Sequence, residues 1–312
     1  MKKKLNAAVK SSSSKVDEIF LFRAMANEFN HNAISKCTYV EEIHGTKGKV
    51  EFSSAFSTGG SARVELGDLL ILTFDKWTKE LRLCVLQAKY KSGRYYRFLN
   101  AKADLFQWEL LRYKLSISNR SKFNFPSNIL NFRTDYKSIT AYGIFYYDNI
   151  SKEIDFLYTL PEYFKPHSLP LHCISKGIRS FHFRCPYRLG SPNRGCIKGI
   201  APKEAISTCS IDTFEDQVLL CNVGAPIPRG SAIDRWILAL LNSMRTCADH
   251  PEVIDELLRA YNDNVPRDFT CSLEGVPSAL VIITDSGKYR KIYESRMEEE
   301  LMLPNKYSET DM

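Results

Sequence analysis

Residues 65–89 read Glu65-Leu-Gly-Asp68-Leu-Leu-Ile-Leu-Thr-Phe-Asp75-Lys-Trp-Thr-Lys-Glu80-Leu-Arg-Leu-Cys-Val-Leu-Gln87-Ala-Lys89. Two apolar runs flank a polar segment, Asp75 to Glu80, which is the pattern of a β-hairpin. Side chains alternate across a strand, so Gln87 and Lys89 share one face while Leu86 and Ala88 share the other. The second run reads as a buried central strand, and an amide and a lysine at its end need a reason to be there. Folding the hairpin brings Asp68 towards that pair. A carboxylate, an amide oxygen and an ammonium then converge, a set suited to holding a divalent cation and orienting a water.

The flanking segments supply the rest of an α/β pattern. Residues 15–31 read as a helix with Val16, Ile19, Phe20, Phe22, Met25 and Phe29 on its apolar side and Ser14 as cap. Residues 47–57 read as a first strand, Gly59-Gly60 as a turn, and 63–74 and 81–90 as the next two strands, the last broken at Gly93. A helix is expected over 100–117, capped by Asn100, with Leu105, Trp108, Leu111 and Leu115 at helical spacing. Ser138 to Tyr147 is a near-continuous apolar run, fitting a strand covered on both faces. Residues 153–158 add a strand. Beyond 160 the expectations are a loop-rich stretch over 161–203, a short strand at 217–222, helices at 231–244 and 251–261, and a buried strand at 279–284.

The Gly67-Asp68 step and the Gln87-Ala88-Lys89 triplet together resemble the PD-(D/E)xK, or restriction-endonuclease-like, nuclease superfamily in its QxK variant. The resemblance covers about residues 15–147 and the order helix, three strands, helix, strand. It implies a central mixed sheet flanked by helices, with an α/β elaboration towards the C-terminus. It also implies metal-dependent phosphodiester hydrolysis, with Asp68, Gln87 and Lys89 as catalytic residues. Asp68, the Gln87 side-chain oxygen and the Ala88 carbonyl would hold Mg²⁺ or Mn²⁺. Members of this type bring an acid from the first helix to the metal, for which Glu18 and Glu28 are the candidates. Lys91, Arg94, Arg97, Lys102 and Gln107 would bind nucleic acid, and Glu109 is a further polar residue of the second helix within reach. DNA is the preferred polymer over RNA, and the biological setting implied is bacterial restriction or antiviral defence, often alongside an ATPase or helicase. The chain has no Gly-x4-Gly-Lys-Ser/Thr loop of its own. Gln in place of the family's acid removes a charge from a site for a hard cation. A second reading therefore stays open: a weak or inactive nuclease-fold subunit that binds nucleic acid within a complex.

Composition agrees with a nucleic-acid partner. The net charge is +7, and the basic residues are concentrated: 81–130 holds ten Lys/Arg against two acids, and 163–203 holds eight against none. Nine scattered cysteines suggest reduced thiols and a cytoplasmic location. No run approaches the roughly 18 apolar residues of a membrane span. His167, His172, Cys173, His182, Cys185 and Cys196 crowd one region but lack a CxxC pair, so structural zinc is not expected. The organisation expected is a flexible basic tail over 1–14, a nuclease-like core over 15–160, an α/β extension or second domain over 161–300, and an acidic tail over 301–312. A homo-oligomer stays open.

Overall fold

The computed structural model describes residues 1–13, 15–42, 48–94, 100–118, 123–148, 151–163, 165–166, 180–184, 196–197, 207–208, 210–261 and 275–302. Its helices are α1 (Lys2–Ser11), α2 (Glu18–Asn30), α3 (Leu105–Tyr113), α4 (Ile211–Leu219), α5 (Ala232–Met244), α6 (Pro251–Tyr261) and α7 (Ser286–Met302). The strands are β1 (Lys36–Val40), β2 (Lys49–Ser53), β3 (Ser61–Glu65), β4 (Leu69–Asp75), β5 (Glu80–Arg94), β6 (Asn100–Asp104), β7 (Thr140–Asp148) and β8 (Glu153–Thr159). Shorter ones follow: β9 (Lys165–Pro166), β10 (Ser180–Arg184), β11 (Cys196–Ile197), β12 (Ser207–Thr208) and β13 (Ala225–Pro226), then β14 (Ala279–Thr284).

Among the described residues nine strands form one mixed sheet, in the order β1-β14-β4-β5-β7-β8-β12-β11, with β13 also pairing β5. β4 and β5 are antiparallel from Leu69↔Leu86 to Asp75↔Glu80, the expected hairpin. β7 runs parallel to β5. Every residue of β4 is buried, because the sheet is covered on both sides. Leu70, Leu72, Phe74, Leu83 and Val85 face a core shared with α3, α5 and α6. Leu69, Ile71, Cys84 and Leu86 face a second core with α1, α2 and α4. The molecule is therefore α/β, with a mixed central sheet flanked by helices. No described helix is long and apolar enough to cross a membrane.

Several expectations are corrected. The segment 1–14, expected as a flexible tail, carries α1: Leu5 is fully buried, Lys2 pairs with Asp155 at 2.8 Å, and Asn6 exchanges hydrogen bonds with the Ile154 main chain. Tertiary contacts thus override its basic, polar composition. α2 is capped by Asp17, which accepts from the Phe20 N–H at 3.0 Å; Ser14, expected as the cap, lies outside the described residues. The strand expected at 47–57 is β2, which pairs with β3 in a hairpin apart from the central sheet and bridges Ser118 through Glu51. The strand expected over 63–74 is two, β3 and β4, divided around Gly67. The helix expected over 100–117 begins only at Leu105, where the Asp104 carboxylate caps the Gln107 N–H at 3.0 Å; residues 100–104 are a strand paired with β10. Residues 217–222 are not a strand: α4 ends at Leu219, its Phe214 and Val218 buried one turn apart.

The C-terminal half does not stand apart, because β14 lies between β1 and β4, parallel to β4 and antiparallel to β1. The sheet's β1 edge is partly covered, with the Asp249 N–H on the Tyr39 carbonyl at 3.1 Å and the His250 N–H on the Thr38 hydroxyl at 2.8 Å. The acidic tail at 301–312 lies, from residue 303 on, outside the described residues.

Asp75 joins the hairpin turn to the returning chain. Its carboxylate is buried and accepts from the Thr78 hydroxyl (2.8 Å), the Ser286 N–H (2.9 Å) and the Ser286 hydroxyl (2.6 Å), as well as from the Trp77 N–H (3.2 Å). Burial opposes its ionisation, but the Ser286, Thr78 and Trp77 hydrogen bonds outweigh this and hold the carboxyl below its usual range. Asp75→Ala strands these donors and should cost about 3 kcal/mol or more, read from the denaturant midpoint at pH 7. The depressed pKa means that Asp75's contribution is complete above about pH 4 and lost only as pH falls through the lower folded value.

Candidate metal centre

The chain reaches β4 through Gly67, which lies against β5. A Cβ there would stand 2.8 Å from Val85 Cγ1 and 3.0 Å from the Leu86 carbonyl. Only glycine permits this approach. The next residue extends the ladder: the Asp68 N–H donates to the Leu86 carbonyl at 2.9 Å. Main-chain pairing thus aims the Asp68 side chain at the middle of β5, where the strand passes the start of β4.

There Asp68 Oδ2 meets three consecutive residues. It accepts from the Ala88 N–H at 2.9 Å and from the Gln87 amide Nε2, and Lys89 Nζ lies 3.6 Å away. The expected convergence of Asp68, Gln87 and Lys89 is present. Burial pushes the Asp68 carboxyl up to about 6; Lys89 opposes the rise, Glu65 adds to it, the Ala88 N–H opposes it and Glu18 adds to it.

Gln87 is 1% exposed, and its Oε1 is buried without a hydrogen-bond partner. An unpaired buried carbonyl is costly. Rotating the amide by half a turn would exchange Nε2 for this oxygen beside Asp68, an arrangement that a cation would favour. The donors are then all oxygen, which suits Mg²⁺ or Mn²⁺. Among the described residues no three His, Cys, Asp or Glu side chains are grouped to hold a metal ion. A cation here would rely on Asp68, the Gln87 oxygen, main-chain oxygen and water.

The cluster opens into a cleft of ≈ 400 Å³ that Glu18, Glu42, Glu65, Asp68 and Lys89 line. Glu18, at the start of α2, accepts from the Tyr90 N–H at 2.8 Å, so of the two first-helix candidates this one belongs to the site. Glu28 does not: it pairs with Lys4 on α1 at 3.3 Å. Gln107, expected to bind nucleic acid, is buried and donates to the Glu65 carbonyl at 3.3 Å, supporting the cleft from behind. Glu109 accepts from the Ser54 hydroxyl (2.6 Å) and the Ala55 N–H (2.7 Å), fixing the loop after β2. Lys91 and Arg94 continue β5 and Lys102 lies in β6; their side chains, and all of Arg97, fall outside the described residues. The same holds for His167, His172, Cys173 and Cys185, and for the side chains of His182 and Cys196. Glu42 and Glu65 were not singled out from the sequence. Glu65 sits three residues before Asp68, and its place on the cleft follows from the chain turning at Gly67.

No protein-family model, curated protein or solved structure matches this chain.

The raised Asp68 pKa carries a stability signature. A carboxyl whose folded pKa exceeds its unfolded value confers stability that is fully present below the unfolded pKa, near 4, and is lost as pH rises through about 6. Asp68→Asn should therefore melt about 2 °C above wild type at pH 7.5 without divalent cation, and no higher than wild type at pH 4. Thermal melts at the two pH values check both halves.

Proposed function

We propose that this chain is a divalent-cation-dependent nuclease that hydrolyses phosphodiester bonds, of DNA by preference, at the Asp68–Gln87–Lys89 cluster. The observation that carries the reading is the Asp68 carboxylate held at once by Gln87, Ala88 and Lys89. Topology supports it. Up to residue 148 the elements of the central sheet and its helices run α1, α2, β1, β4, β5, α3, β7, which from α2 onward is the order helix, three strands, helix, strand. The first strand of that order is β1 and not the segment around 47–57. β14 inserted beside β1 is this chain's own departure from the restriction-endonuclease-like pattern.

Asp68, the Gln87 oxygen and water would hold Mg²⁺ or Mn²⁺, which when bound makes water more acidic and offsets negative charge on the phosphoryl oxygens. The chain's own groups do the rest. Lys89 places an ammonium beside the same point, where it donates to a non-bridging oxygen as charge builds. Water oxygen bonds to phosphorus while the bond to the leaving oxygen breaks. The water's proton passes to a cleft carboxylate, Glu18 or Glu65, and the leaving oxygen takes a proton from solvent. The setting we propose is a cytoplasmic effector of bacterial restriction or antiviral defence, with any NTP-driven step supplied by an ATPase or helicase partner.

One observation favours a second reading, a subunit that binds nucleic acid without cutting it. Gln87 Nε2, the Ala88 N–H and Lys89 together engage the Asp68 carboxylate from the protein's own groups.

Plasmid DNA incubated with the protein and Mg²⁺ or Mn²⁺ decides between them. Wild type and Glu28→Gln should cut, whereas Asp68→Asn and Lys89→Ala should lose at least about 100-fold in rate. At limiting cation, cleavage should fall with falling pH, because burial raises the Asp68 pKa and proton and cation compete for its carboxylate. Retention of DNA by all four proteins with no cutting would establish the binding-only reading. Undiminished cutting by Asp68→Asn would move the centre elsewhere.

A further inference from the structure

At the opposite end of the β4–β5 hairpin from Asp68, the turn exposes Trp77. It is 72% exposed, while the other two tryptophans, Trp108 and Trp236, are 3% and 7% exposed. The turn thus presents a large aromatic face to solvent. Its backing is specific. A Cβ at Gly287 would stand 2.7 Å from the indole Cδ2, so the ring lies against the bare backbone at the start of α7. The turn that carries it is fixed by Asp75, through the Trp77 and Thr78 N–H groups.

The surroundings are cationic. Lys288, Arg290 and Lys291 are exposed on α7 just beyond Gly287. Thr78 and Lys79, the next residues of the turn, line a pocket of ≈ 350 Å³ with Arg133, Tyr136 and Arg229. The guanidiniums there are held in place: Arg133 lies 4.8 Å above the Tyr136 ring and Arg229 4.2 Å above that of Tyr261. Arg229 also donates to the Tyr261 carbonyl at 2.8 Å and the Lys79 carbonyl at 3.2 Å. A guanidinium has five N–H donors, so Arg229 keeps others for a ligand. The carboxylates nearby are engaged: Asp135 with Arg133 (2.9 Å), Glu80 with Arg82 (3.0 Å), Asp285 with Lys288 (3.4 Å) and Glu256 with Lys76 (2.5 Å).

A rigid stacking face beside oriented cations is the chemistry that recognises bases and phosphates together. We propose that this end of the hairpin binds an unpaired nucleic-acid strand, one base stacking on Trp77 and the neighbouring phosphates meeting Lys79, Arg133 and Arg229. A duplex hides its base faces and offers nothing for the indole to stack on. Asp68 takes no part in this surface, which can be tested with cleavage abolished.

The full-length protein in EDTA is titrated with a short oligothymidylate while tryptophan emission is followed. Trp108 and Trp236 are buried, so quenching reports Trp77. Wild type should be quenched. Read by the anisotropy of a fluorescein-labelled oligothymidylate, Trp77→Ala should bind about 10-fold more weakly, and Trp77→Tyr should recover most of the affinity. Lys79→Ala with Arg133→Ala should lower the salt slope by about 1.4, for two phosphate contacts on a single strand. Absence of quenching, unchanged affinity in Trp77→Ala, or equal binding of a duplex of the same length overturns the proposal. Saturation by thymidine monophosphate at the oligonucleotide's affinity overturns it in favour of a free-nucleotide site.

Discussion

The buried carboxylate of Asp75 is the tie on which the arrangement of this molecule depends. It closes the β4–β5 turn through Trp77 and Thr78, and it receives both the N–H and the hydroxyl of Ser286, where the chain leaves β14 and enters α7. One group therefore fixes the hairpin that carries Asp68 and the strand that returns from the far end of the sequence. Few side chains could do this. The acceptor must serve several donors at once, stay ionised when buried and be short enough to fit beneath a turn.

At the other end of the hairpin the balance is reversed. Asp75 is a carboxylate whose hydrogen bonds overcome its burial, whereas Asp68 is one whose burial wins, with Glu65 and Glu18 adding to it. The same residue type thus stabilises one end of β4 and strains the other. Gly67 makes that strain unavoidable, because the close approach it permits seats Asp68 against Ala88, among other acids. Groups held at a cost in stability are characteristic of places where a ligand restores the balance.

The hairpin was legible because two signals agree there: alternation on β5, and a polar turn between two apolar runs. The buried strand at 279–284 and the helices at 231–244 and 251–261 were legible for similar reasons, as α5, α6 and β14 carry strong periodic or continuous apolar runs. Other features were not. Asn100 looks like a helix cap, but Asp104 is the residue whose carboxylate reaches the N–H three places on. Leu5 and Val9 share a helical face, yet α1 is held by partners about 150 residues away, which its own composition does not announce. Glu18 and Glu28 each precede an apolar residue, and only three-dimensional placement separates the acid at the helix start, near β5, from the one beside α1. The run Ala279 to Thr284 announces a buried strand without saying which strands it separates.

That last placement sets an order for biogenesis. β1 and β4 come off the ribosome long before β14, yet neither pairs with the other in the finished sheet. A nascent chain must therefore keep two apolar strands apart, or let them pair and later separate, until residue 284 has been made. Contacts this distant in sequence form slowly and leave strand edges exposed in the meantime. Asp68 immediately precedes β4, so its cleft cannot take final form until β14 has been made. A chain interrupted before residue 279 would carry Asp68, Gln87 and Lys89 on a sheet whose β4 lacks the neighbour on its other side.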